Sequence, residues 1–100
     1  MPEQEKLAVV EDAAMKLDLQ SYPNPFNPTA VISFAIPIAA DVSIAVYDMI
    51  GREVEVLLRE FRRAGNHEVT FHSGNLPSGI YFCRLQAGSY VLVKKLVLIR

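Results

Sequence analysis

The fold class this sequence predicts is all-β, two sheets packed over one core, and three observations predict it. Seven short runs alternate apolar and polar side chains with a period of two. Turn-forming residues separate these runs roughly every ten residues, the rhythm of a β-sandwich. The composition agrees: of 100 residues, 51% are hydrophobic and 21% charged, a globular balance at a length that holds a single domain.

Residues 1–16 stand apart. They carry Glu3, Glu5, Lys6, Glu11, Asp12 and Lys16 with small apolar residues between them. Leu7, Val10 and Ala14 fall at helical spacing, so this stretch reads as a linker or a short helical arm. From residue 17 to 100 the period becomes two. Leu17, Leu19 and Ser21 alternate with Asp18 and Gln20. Tyr22-Pro23-Asn24-Pro25-Phe26-Asn27-Pro28 follows; its prolines fix φ and lack N–H donors, which excludes helix and predicts a stiff extended loop.

Ile32, Phe34 and Ile36 then oppose Ser33 and Ala35, and Pro37 stops that strand. Val42, Ile44 and Val46 alternate with Asp41, Ser43 and Ala45. Asp48 to Gly51 reads as a tight hairpin turn with Gly51 free to take positive φ. Val54, Val56 and Leu58 are expected on one face, against Glu53, Glu55 and Leu57. After a turn at Ala64-Gly65-Asn66, His67, Val69 and Phe71 share a face. Ser73 to Gly79 is rich in turn formers. Tyr81, Cys83 and Leu85 alternate with Phe82, Arg84 and Gln86; Ala87-Gly88-Ser89 turns the chain, and Tyr90 to Ile99 is the last strand.

Tyr81 stands just after the 73–79 loop, two residues before Cys83. In immunoglobulin-like domains a tyrosine so placed bonds back to the loop backbone, the tyrosine corner. The fold expected is therefore a seven-stranded immunoglobulin-like sandwich with Greek-key connections. Cys83 is the single cysteine, so it has no intrachain disulfide partner and reads as a small buried apolar residue.

Several function classes are disfavoured. Ten Lys+Arg against eleven Asp+Glu give a net charge of −1, without the basic excess that nucleic-acid binding uses. His67 and His72 fall on opposite faces of one strand, so no shared metal is expected, nor any cofactor. Neither a Gly-x-Ser-x-Gly elbow nor a Gly-rich phosphate loop occurs, and a sandwich this small has little room for a concave site. The expectation is a non-enzyme. Arg59, Arg62 and Arg63 around Phe61 are balanced by Glu53, Glu55 and Glu60 and read as a solvated strand end. Asn27-Pro28-Thr29 fails the glycosylation sequon because proline holds its middle position. Lys94-Lys95 breaks the last strand, so one lysine should point inward or the strand should lie at an edge, where charge blocks stray pairing. The start has no basic and apolar signal-peptide pattern, and the apolar runs are far below the ~20 residues a membrane helix needs.

Five motifs, in order, resemble one family. They are Tyr22 to Thr29; the strand ending Phe34-Ala35-Ile36-Pro37; Val46 to Val54; Leu76-Pro77-Ser78-Gly79-Ile80-Tyr81-Phe82; and Lys94 to Arg100. Together they resemble the type A C-terminal sorting domain of the type IX, or Por, secretion system, from about Leu17 to Arg100. The resemblance implies a domain at the C-terminus of a larger secreted cargo. The cargo passes through the periplasm behind a separate signal peptide, and the outer-membrane translocon recognises the domain. A surface sortase then cuts within or near residues 1–20.

It also implies site residues. Gly79 and Tyr81 match the family's Gly-x-Tyr. Lys94, Lys95, Leu96, Val97, Leu98, Ile99 and Arg100 match its recognised terminal strand, and Pro23, Asn24, Pro25, Phe26, Asn27 and Pro28 its loop motif. Cys83 stands where the family often has an aromatic and Phe71 where tryptophan is common; both keep apolar positions. The absent signal peptide implies a fragment of something longer. A terminal edge strand of ~10 residues would suit reading by β-augmentation, and also edge-strand self-association. The alternatives are a structural or adhesive immunoglobulin-like module of a surface or flagellar protein, or a sugar-binding module. The last wants exposed aromatics on one face, whereas most of the nine Phe and Tyr are expected inward or in loops.

Overall fold

The computed structural model describes residues 16–100; the arm expected over 1–16 lies outside the described residues apart from Lys16. Seven strands form: β1 Asp18–Tyr22, β2 Thr29–Ile36, β3 Ala40–Tyr47, β4 Glu53–Arg62, β5 Gly65–His72, β6 Gly79–Ala87 and β7 Tyr90–Leu98. They make two antiparallel sheets, one ordered β1-β2-β5 and the other β4-β3-β6-β7. The chain therefore changes sheet after β2, after β4 and after β5. No described residue is helical.

The period-two pattern explains how the sheets meet. Leu19, Ala30, Ile32, Phe34, Ile36 and Phe71 from one sheet and Val42, Ile44, Val46, Leu58, Tyr81, Cys83, Leu85, Leu96 and Leu98 from the other form one buried cluster. Each large side chain buried there is worth about 1.5–3 kcal/mol, which is what holds the layers together. Cys83 is fully buried in that cluster, and burial pushes its thiol up to about 12. With its pKa so raised, the thiol is protonated at neutral pH and fills core volume.

One strand departs from the alternation. In β4, Ile44 faces Leu58 but Ala45 faces Val56, so Leu57 is an extra residue in a β-bulge. The bulge resets the faces: Leu58 is buried and Leu57 packs on the core, while Val56 turns outward and is 37% exposed. Strict alternation placed Val56 inward, and the inserted residue is why it is not.

The β3–β4 turn is tightly held. Asp48 Oδ1 accepts the N–H groups of Ile50 and Arg52 at 3.0 and 2.9 Å, and Oδ2 accepts Arg52 Nε at 2.8 Å. Gly51 takes φ +89° and donates its N–H to the Asp48 carbonyl at 3.0 Å. The Arg52 backbone bond leads these contacts in holding the Asp48 carboxyl below its ordinary value of 3.8. A depressed carboxyl stabilises the fold fully above that value and ceases to do so as pH falls through its lowered one. Asp48→Asn should therefore be less stable than wild type at neutral pH, with the gap closing in strong acid. Urea denaturation across pH checks it, and a pH-independent gap would contradict it.

Candidate functional site

β7 is the outer strand of the four-stranded sheet, so Lys94 and Lys95 sit on an edge strand. Lys94 faces Cys83 in the ladder and is half-buried, while Lys95 faces Phe82 and is exposed. On its inner side β7 pairs Leu96 with Tyr81, Val97 with Ile80 and Leu98 with Gly79. The Gly79 and Tyr81 expected in the site thus lie directly against the terminal strand. The Tyr81 hydroxyl donates to the Pro77 carbonyl at 2.6 Å, the tyrosine-corner bond anticipated from its spacing to Cys83.

The outer side of β7 carries the least anticipated feature. The proline loop does not run on as an extended connection. It bends at Pro23–Pro25 and again at Asn27–Pro28, and Phe26 between them forms a parallel bridge to Leu98. Its Tyr22–Pro23, Asn24–Pro25 and Asn27–Pro28 peptide bonds are cis. Phe26 N–H donates to the Val97 carbonyl at 2.9 Å, and Ile99 N–H donates to the Phe26 carbonyl at 3.1 Å.

Asn24 extends this contact with its side chain. Its Nδ2 donates to the Lys95 carbonyl at 2.8 Å, and its Oδ1 accepts the Val97 N–H at 3.0 Å. The side-chain amide has the donor and acceptor of a peptide group, so Asn24 acts as one rung of a strand. The Phe26 ring is buried, with its centroid 5.5 Å from that of Phe71 and a tilt of 51°. At the start of the loop, the Tyr22 hydroxyl donates to Glu68 Oε2 at 2.8 Å, and that bond raises the phenol above its ordinary 10.0. Ser73 N–H donates to the Pro28 carbonyl at 2.8 Å and ties down the far end.

Edge coverage is therefore divided. In an antiparallel ladder alternate residues aim both backbone groups at the same neighbour. Val97 and Ile99 point theirs at the loop, so Lys95, Val93 and Val91 point the same way. The loop takes the Lys95 carbonyl, both Val97 groups and the Ile99 N–H. The half of the edge from Val91 to the Lys95 N–H extends past the loop. Reading of the whole ~10-residue edge by strand addition is thus corrected: the loop already lies along its C-terminal half.

Arg100 closes the site. Its N–H donates to Ser78 Oγ at 2.9 Å, Nη1 to Ser73 Oγ at 3.1 Å and Nη2 to the Gly74 carbonyl at 2.6 Å. The residue after Ile99 thereby clamps the β5–β6 loop. Sequence reasoning missed Ser73, Gly74 and Ser78 as its partners, because hydroxyls in a turn-rich loop look alike until the fold brings the chain end beside them. Asn24 carried a better signal, since a short amide flanked by prolines is well suited to bonding backbone groups.

The resemblance-based site residues sort by exposure. Phe26, Tyr81, Leu96 and Leu98 are buried and hold the element in place. Pro23, Asn24, Pro25, Asn27, Pro28, Gly79, Lys95, Ile99 and Arg100 are exposed, and Lys94 and Val97 are half-buried. The histidines fall apart as expected. His67 Nε2 lies 2.7 Å from the Arg63 carbonyl, with its ring stacked on Phe34, and His72 Nδ1 lies 3.1 Å from Thr29 Oγ1. Most of the aromatics do lie inward: Phe26, Phe34, Phe71 and Tyr81 are buried and Tyr47 and Phe82 half-buried, while Tyr22, Phe61 and Tyr90 are substantially exposed. Those three share no face. Phe61 and Tyr90 are on the two opposite edge strands of one sheet and Tyr22 is in the other.

What the fold and site define is a β-sheet domain whose terminal strand and proline loop form one unit. The family model of the secretion system C-terminal sorting domain matches residues 20–99. The chain belongs to that family, and it is a type IX C-terminal sorting signal of a cargo protein, directing export toward the outer membrane and cell surface. No curated protein matches the chain.

Proposed function

We propose that the signal presented to the outer-membrane translocon is composite: the exposed side chains of β7 and Arg100 together with the loop Pro23–Pro28 docked on them. The observation that carries this reading is the set of four hydrogen bonds between Asn24 and Phe26 on one side and Lys95, Val97 and Ile99 on the other. A translocon approaching Lys95 or Ile99 meets Asn24 and Pro25 in the same step. The cargo crosses the periplasm with this domain folded as an immunoglobulin-like sandwich. A surface sortase releases it by cutting near residues 1–20. The strand order β4-β3-β6-β7 over β1-β2-β5 and the Tyr81 corner support the immunoglobulin-like assignment.

The domain acts as an address and not as a catalyst. In support, Cys83 is buried and protonated, and both histidines are engaged by neighbouring groups. Self-association through β7 would use the half of the edge beyond the loop, with Lys94 and Lys95 opposing it.

Deleting Lys94–Arg100 from a full-length cargo should leave that cargo in the periplasm, as read by cell fractionation. Normal surface delivery of the truncated cargo would sink the sorting mechanism. If surface assembly or adhesion changed while export did not, the structural or adhesive role would take its place.

A further inference from the structure

The open half of the β7 edge is bounded at both ends. On one side Asn24 holds the Lys95 carbonyl, and on the other the chain turns at Gly88, where φ is +59°. Between these bounds the β6–β7 ladder runs from Tyr90 to Lys94 without a register shift. The N–H and C=O groups of Val91 and Val93 point outward there and have no partner among the described residues. The centre of the stretch is Leu92.

A second copy of the chain fits these bounds. A two-fold axis through Leu92 lays the copy antiparallel, with Val91 opposite Val93 of the second copy and Val93 opposite Val91 of the second copy. Opposed residues that aim both backbone groups at each other exchange two bonds, so every outward group of Val91 and Val93 is satisfied. Each open stretch then covers the other and meets neither loop nor turn. Val91 and Val93, 45% and 56% exposed, pack against each other across the axis. Leu92 meets Leu92 of the second copy. Each Lys94 lies across from Tyr90 of the second copy, where the ammonium meets the ring.

Neighbouring registers conflict with what the edge already carries. An axis at Val93 sets Val91 of the second copy against Lys95, whose carbonyl Asn24 holds. An axis at Lys94 sets lysine against lysine and drives the copy into the proline loop. An axis at Val91 runs the copy into the Gly88 turn. Lysine repulsion thus selects a register and does not close the edge.

We propose that the domain forms a two-fold dimer through residues 90–94 of β7, with Leu92 on the axis, so that two four-stranded sheets become one continuous sheet. The paired stretch is short, which places the contact among weak, transient interfaces. The dimer forms at concentrations on the order of 0.1–1 mM. The inference gives self-association of the domain a register and does not rest on its sorting role.

Sedimentation of the 100-residue chain over a concentration series tests it. Wild type should pass from monomer to dimer as its concentration rises through that range. Val93→Pro deletes one outward N–H and removes no bond to β6, so it should weaken dimerisation by about tenfold or more with thermal unfolding little changed. Val91→Lys with Val93→Lys, which sets like charges across the axis, should do the same. Leu92→Cys reports the register: mild oxidation should link two copies, because opposed residues at the axis lie within disulfide reach. Lys95→Cys should not link, and the buried Cys83 thiol does not compete.

A monomer at every concentration overturns the inference, as does a dimer indifferent to both the proline and the lysine variants. Linkage through Lys95→Cys with none through Leu92→Cys overturns the register. Growth beyond a dimer overturns the closed two-fold. Each of these results leaves the sorting role standing, since export is read separately by cell fractionation.

Discussion

Phe26→Ala should destabilise the domain by about 3–5 kcal/mol, the range for emptying a buried aromatic site. The ring is 2% exposed and packed against Phe71, although it comes from a loop and not from a strand. Its removal also frees the loop from β7, since the backbone bonds to Val97 and Ile99 depend on the ring holding residue 26 in place. Against a typical domain stability of about 5–15 kcal/mol, such a loss brings the fold near its margin. Chemical denaturation of the isolated domain checks the first effect. Hydrogen exchange at the Val97 and Ile99 amides checks the second, where protection should collapse. A loss below about 1 kcal/mol would show that the loop merely rests on the sheet.

Tyr81→Ala carries a loss of similar size, about 3–5 kcal/mol, for a ring that is 5% exposed and part of the shared core. Tyr81→Phe separates the corner from the packing. It retains the ring and deletes only the hydroxyl that donates to Pro77 at 2.6 Å, which should cost about 1–2 kcal/mol. The Pro77 bond holds the 73–79 segment, and that segment supplies Ser73, Gly74 and Ser78 to Arg100. Tyr81→Phe should therefore also loosen the Arg100 clamp, seen as faster exchange of the Arg100 amide. If Tyr81→Phe matched wild type in both stability and exchange, the corner would have no part in fixing the chain end.

Much of this architecture was legible because β-structure writes itself in a period of two. The inward sets Ile32/Phe34/Ile36, Val42/Ile44/Val46 and Tyr81/Cys83/Leu85 each emerge buried as their alternation implies. The corner was legible too, from one tyrosine and its distance from a loop. Val56 was not, because a bulge at Leu57 changes parity without leaving a glycine or proline to mark it. The exposed Met49 and Ile50 were similarly hidden: a turn is recognised by Asp48 and Gly51, and says nothing of what its two tip residues face.

The site itself was half legible. Motif order named Pro23–Pro28 and Lys94–Arg100 as separate segments some seventy residues apart, and Gly79 and Tyr81 as a third. Nothing local states that Asn24 lies beside Lys95 and Val97, because that contact arises only when the loop folds back along the edge strand. Long-range pairing of polar groups has no periodic signature, unlike burial. The lysine pair did signal an edge strand, and that edge proved to be half occupied by the chain's own loop.

Asn24→Ala tests most directly whether the docked loop and the terminal strand are read as one signal. The variant deletes the two side-chain bonds to Lys95 and Val97. Its cost of about 1 kcal/mol leaves the core intact. The measurement is surface delivery of a fluorescent reporter fused ahead of Leu17 and behind a signal peptide, with the folded state of both domains verified by thermal unfolding. A composite signal predicts a severalfold fall in delivery and reporter retained in the periplasm. Equal delivery by wild type and Asn24→Ala, both folded, would contradict it and return recognition to the terminal strand alone.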